Sequence, residues 1–197
     1  MIQTMTEASL ITALQQPQVY DHPVAEFQLF ETHISWIILT GEYAYKIKKP
    51  VDFGFLDYSS LEKRRHQCEQ ELKLNRRTAA SLYLEVIPIG GSPESPQPGQ
   101  QPAIEYAVKM RQFPQQALLS HYEARGELGS EAILALADTL AAFHASTDIA
   151  ADDTPYGTPQ SAFYPVNENF EQIRQRIDGP DLLHRLDNLE QHSRAFF

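Results

Sequence analysis

Two lysines and two glutamates are spaced for work on an anion. The run Tyr43-Ala44-Tyr45-Lys46-Ile47-Lys48 alternates like a strand, which puts Lys46 and Lys48 on one face of it. The next segment, Ser59 to about Ala80, has helical spacing and carries Glu69 and Glu71. A lone lysine ammonium wanders, whereas a carboxylate from a neighbouring element fixes its position and keeps it charged. Such a pair suits the gripping of phosphate oxygens. The plainer alternative is a set of solvated strand lysines and ordinary surface glutamates. Spacing alone leaves open which lysine meets which glutamate.

Other reactive residue types offer less. The seven histidines are scattered without ligand spacing, so no zinc site is expected. Cys68 is the only cysteine, which precludes an internal disulfide. It falls on the apolar face of the helix with Leu61, Leu72 and Ala79, where a thiol is buried and inert. The basic residues Lys63, Arg64, Arg65, Lys73, Arg76 and Arg77 are expected to form a solvated face of that helix.

The elements that must position these groups follow from periodicity. Thr6 to Gln15 predicts a short helix with Leu10, Ile11 and Leu14 as its stripe, Thr6 as its cap and Pro17 as its stop. Residues 24–30, 34–39 and 43–48 predict three strands, the last two joined by the turn Thr40-Gly41-Glu42. Ser59 and Glu62 have capping-box spacing at the head of the long helix. Tyr83–Ile89 and Ile104–Phe113 predict two further strands. Residues 90–102, rich in Gly, Pro, Ser and Gln, predict an exposed loop between them. Helices are expected over 115–124, 130–145, around Val166, Phe170, Ile173 and Ile177, and over 181–197. Residues 146–165 are expected to be a loop. The order is α+β: an antiparallel sheet with one helix packed on it, then a helical region.

Bulk properties narrow the partners. The chain has 197 residues with 42% hydrophobic content and a net charge of −10, so general nucleic-acid binding is disfavoured. No apolar run approaches the roughly 18–20 residues of a membrane helix, and the start has no basic region followed by an apolar block. No membrane partner and a cytoplasmic location are the expectation.

The element order is also that of a kinase amino lobe and the start of its helical lobe, with the Ala-x-Lys ending at Ala44-Tyr45-Lys46. Several blocks carry a closer resemblance. They are Thr32-His33-Ile34-Ser35, the run from Tyr43 through Lys49-Pro50-Val51-Asp52-Phe53-Gly54 to Asp57, Leu61-Glu62-Lys63-Arg64-Arg65 and Glu71-Leu72-Lys73-Leu74-Asn75-Arg76-Arg77. Tyr106-Ala107-Val108-Lys109-Met110-Arg111-Gln112-Phe113-Pro114 and Leu140-Ala141-Ala142-Phe143-His144 join them. Over residues 5–180 the sequence resembles bacterial aminoglycoside-phosphotransferase-like proteins, in the bifunctional group that adds a carboxy-terminal P-loop ATP-binding domain. The resemblance implies a protein-kinase-like amino lobe over 1–113 and a partial helical lobe over 114–197, cut before the catalytic loop, with a further region in cis. It implies ATP and Mg as cofactors and a small-molecule hydroxyl as acceptor. It makes Lys46 the phosphate lysine with Lys48 as alternative, and Glu71 its partner with Glu69 second. Thr32, His33 and Ser35 become the loop over the phosphates. Met110, Arg111 and Phe113 become the hinge that reads adenine.

Departures from the pattern matter as much. There is no Gly-x-Gly-x-x-Gly loop and no usable His-x-Asp-x-x-x-x-Asn loop, so no catalytic residue is assigned and the chain is not expected to turn over. Asp52-Phe53-Gly54 spells a kinase metal motif but stands before the long helix, where a turn is expected. His184-Arg185-Leu186-Asp187-Asn188 lies in an amphipathic helical run. A non-catalytic regulatory or interaction module on the same scaffold is the competing expectation.

Overall fold

The computed structural model describes residues 2–151 and 153–196. They form a mixed α+β protein with six α-helices and a six-stranded antiparallel sheet. The chain divides into two units, residues 1–145 and 146–197.

In the first unit, α1 (Ile2–Ala13) and a 3-10 turn at Pro17–Val19 precede β1 (Gln28–Glu31), β2 (Ser35–Leu39) and β3 (Tyr43–Lys48). Helix α2 (Leu61–Ala79) follows, then β4 (Tyr83–Ser92), β5 (Ser95–Pro98) and β6 (Glu105–Arg111). The spatial order is β1-β2-β3-β6-β4-β5, every neighbouring pair antiparallel. The lysine strand β3 is therefore central, flanked by β2 and β6. The short helix α3 (Leu119–Ala124) and the longer α4 (Ser130–Ala145) complete the unit.

The sheet has two differently used faces. Tyr45 and Ile47 point one way, where Ile38, Ile87, Ile89 and Ala107 join Leu10 and Ile11 of α1, and Leu14 just after it, in one buried cluster. Each such fully buried aliphatic side chain contributes about 1.5–3 kcal/mol by leaving water. Lys46 and Lys48, at alternate positions, point to the other face, which α2 covers. The strand period of two thus sends apolar groups to one layer and ammoniums to the next.

Four expectations are corrected. Helix α1 begins at Ile2, so Thr6 lies within it and does not cap it. The cap of α2 is Ser60, whose hydroxyl accepts from the Lys63 N–H at 3.2 Å, rather than Ser59. Ser59 instead donates to Asp57. The stretch expected to be a loop at 90–102 carries a hairpin: β4 runs on to Ser92 and pairs with β5. Prolines 96 and 98 are tolerated because β5 is an edge strand with one side free of ladder bonds. Gly91 is required there, since its φ is +77° and a Cβ would stand 2.3 Å from the Ser95 carbonyl oxygen. In the second unit, α5 (Pro159–Arg174) starts inside the segment expected to be a loop. Thr158 caps it by accepting from Ser161 N–H, and Pro159 occupies its first position. Helix α6 (Pro180–Phe196) follows, with Arg174 of α5 bonded to Asp187 and Glu190 of α6 at 2.7 Å each.

Candidate functional site

One carboxylate organises the α2 face of the sheet. Glu71 accepts from Lys46 Nζ on Oε1 and from Lys48 Nζ on Oε2, both at 2.7 Å. The structure therefore unites Lys46, Lys48 and Glu71. Burial alone would raise the Glu71 pKa, but the two lysine hydrogen bonds outweigh it and hold the carboxyl below its ordinary range. Burial alone would lower the Lys48 pKa, and the Glu71 hydrogen bond reverses this, so the ammonium is held above its usual value.

The two lysines differ in access. The Lys48 side chain is 3% exposed and its Nζ lies 5.1 Å from the centre of the Tyr58 ring. The Lys46 side chain is 25% exposed and is the member of the cluster that faces solvent. Asn75 donates to the Glu71 carbonyl at 2.9 Å one turn on, and Cys68 lies one turn back at 0% exposure. Burial pushes the Cys68 thiol up to about 12, in keeping with an inert sulfur. Glu69 stands apart on an exposed face and accepts from Arg65 at 2.8 Å.

Other positions named from the sequence are placed as follows. Thr32 to Ser35 form the turn between β1 and β2. The Thr32 hydroxyl accepts from Ser35 N–H at 3.0 Å and donates to Ser35 O at 3.1 Å, so it is spent on closing the turn. Ser35 is 0% exposed, and His33 stands exposed at the tip. Met110 and Arg111 end β6 opposite Ala44 and Tyr43, with Phe113 beyond at 38% exposure. The Arg111 N–H donates to Leu82 O at 2.8 Å and the Gln112 N–H to Glu42 O at 2.9 Å. Asp52 Oδ1 accepts from Gly54 N–H at 2.9 Å, which makes Asp52-Phe53-Gly54 a turn. His184 and Asp187 lie on α6.

The sequence is 28% identical over 178 residues to a protein of Mycobacterium tuberculosis (strain ATCC 25618 / H37Rv), and equally to one of Mycobacterium bovis (strain ATCC BAA-935 / AF2122/97). Each carries the description "uncharacterized protein". The match takes in 85% of this chain and 34% of each relative. The chain thus spans about a third of the length of the curated relatives it matches. No family model matches. No solved structure matches either.

Sequence reasoning missed one pair altogether. Arg64, expected on a solvated face, is 8% exposed and its Nε donates to both Glu105 oxygens at 3.0 and 2.9 Å. Its Nη1 also donates to Tyr58 O at 3.0 Å. The signal was present: Leu61, Arg64, Cys68, Glu71 and Asn75 recur every three or four residues, on one side of the helix. Charges on an otherwise inward stripe must be paired.

Proposed function

We propose that this chain forms the nucleotide-binding part of an ATP-dependent small-molecule phosphotransferase with a kinase-like amino lobe, resembling aminoglycoside phosphotransferases. The observation that carries the reading is the half-open Lys46 on a central strand, held at 2.7 Å by Glu71 of the next helix. The order of strands around it supports the reading. Two hairpins lead into the lysine strand, the helix follows, and the last long strand, β6, returns beside β3. In that arrangement Lys46 meets the phosphates, Glu71 fixes Lys46, and the end of β6 lies against the base.

The internal bonds refine the assignments. With the Arg111 and Gln112 amides engaged, base recognition falls to the Phe113 backbone and the carbonyls beside it. With the Thr32 hydroxyl engaged, the β1–β2 turn acts as a cover. Among the described residues no group of three or more His, Cys, Asp or Glu side chains is placed to hold a metal ion. Turnover and the acceptor belong to the whole protein.

Titration calorimetry with ATP tests the reading. The wild-type chain binds and Lys46→Ala loses at least about tenfold in affinity, as expected for loss of a charge-assisted phosphate contact. Equal binding by the two proteins defeats the assignment. A specific observation favours a second reading, an interaction module on the same scaffold. Ile133, Leu134, Leu136 and Leu140 of α4 are 44–64% exposed. Among the described residues no helix is long and apolar enough to cross a membrane, so that surface is not a membrane span.

A further inference from the structure

Three charges meet at Glu71, and their sum matters. A lysine and a glutamate in contact are neutral together, and an approaching anion meets little net field. Lys48 changes the count to one excess positive charge. At 3% exposure its own ammonium is sealed beneath Tyr58 and α2. The excess is therefore presented through the one open member, Lys46. Lys48 also holds Oε2 from inside while Lys46 approaches Oε1, so the carboxylate cannot swing. Opposite Lys48 in the sheet register stands Ser35, whose buried hydroxyl has no hydrogen-bond partner among the described residues. Since the Ser35 hydroxyl does not accept from it, Glu71 Oε2 is the hydrogen-bond acceptor that anchors the Lys48 ammonium.

We infer that Lys48 is a positioning residue: its buried ammonium neutralises and pins Glu71, which leaves Lys46 with a full charge for a polyphosphate anion. The inference rests on the nucleotide-site reading above and separates two lysines that the strand pattern makes equivalent. Lys48 touches no phosphate in this scheme. It acts on the anion only through the electrostatic balance at Glu71.

The test compares ADP, which carries phosphates, with adenosine, which does not, by calorimetry on the full chain. Lys48→Met weakens ADP about tenfold, an ordinary coupling between touching charged groups, and leaves adenosine unchanged. Lys48→Arg recovers most of the loss. Adding Glu71→Gln to Lys48→Met also recovers affinity, because a lone Lys46 then restores the excess charge. Three results overturn the inference: wild-type ADP affinity in Lys48→Met, an equal loss for adenosine, which marks a packing role, or no rescue by Glu71→Gln, which marks direct phosphate contact. If the wild type binds neither ligand, the nucleotide reading fails on its own. The anchoring is then decided from the ammonium resonances of 15N-lysine-labelled protein. The Lys48 signal persists in Lys46→Met and is lost in Glu71→Gln. Its loss in Lys46→Met overturns the inference.

Discussion

Helix α2 brings two charge clusters to the sheet, through Arg64 and Glu71 seven residues apart on its inward stripe, and they are built for different ends. At its head Arg64 closes on Glu105 with both carboxylate oxygens engaged and side chains 10% and 8% exposed. Further along, Glu71 is divided between a sealed lysine and an open one. The first cluster is one cation to one anion, capped by the Tyr58 carbonyl, and has no charge left over. The second has a surplus cation and a route to solvent. Burial dominates at Glu105 and raises its pKa despite Arg64, whereas two ammoniums reverse the same penalty at Glu71. A closed pair joins elements; an unbalanced, half-open one is equipped to receive something.

The largest expected effect breaks the closed pair. Arg64→Met strands a buried carboxylate and costs about 3–5 kcal/mol of stability. Urea denaturation reads it, and adding Glu105→Leu recovers much of the loss because an apolar pair needs no desolvation. Next comes Glu71→Ala, which strands Lys48 and costs about 3 kcal/mol, at the low end for a buried pair. Lys46→Ala separates the roles most sharply. Its partly exposed pair contributes about 1 kcal/mol or less to folding, yet ligand affinity falls at least about tenfold. A loss of several kcal/mol there with unaltered binding would reverse the comparison.

Acidity provides a fourth test. Glu71 has a folded pKa below its ordinary 4.5, so its contribution is complete above that value and is lost as pH falls through the folded pKa. Lys48 has a folded pKa above 10.5, so its contribution is complete below that value and is lost as pH rises through the folded pKa. Glu105, with its pKa raised, runs the other way: acidification towards 4.5 relieves its burial penalty. Urea midpoints taken downwards from pH 7 therefore fall below pH 4.5 in the wild type and fall less in Glu71→Gln. The smallest effect belongs to Glu69→Ala. The Arg65–Glu69 pair is exposed, so neither the urea midpoint nor ligand affinity changes measurably.

The same comparison explains what could be read in advance. Helix α2 and the β2–β3 hairpin were legible because their apolar spacing and the Gly41 turn are local signals. The choice of Glu71 over Glu69 is legible in retrospect, since Glu71 stands three residues from Cys68 on the buried stripe. Arg64 and Glu105 are 41 residues apart, so the stripe marks Arg64 as inward but no local pattern names its partner on a distant strand. Strand β5 was hidden for another reason. Its composition, Ser95-Pro96-Gln97-Pro98, is that of a loop, and only its position at the sheet edge makes it a strand. The Ser60 cap lay within the one- or two-residue ambiguity of any helix start.

Cys68, between the two clusters and the only cysteine of the chain, gives the helix a built-in clock. The sulfur is fully buried, and that burial holds its thiol far above the usual range, so in the folded protein it is neither reachable nor ionised at pH 7. A maleimide therefore reacts when α2 lifts from the sheet and hardly at all otherwise. The labelling half-life reports the opening of both clusters in a single measurement, without introducing a cysteine.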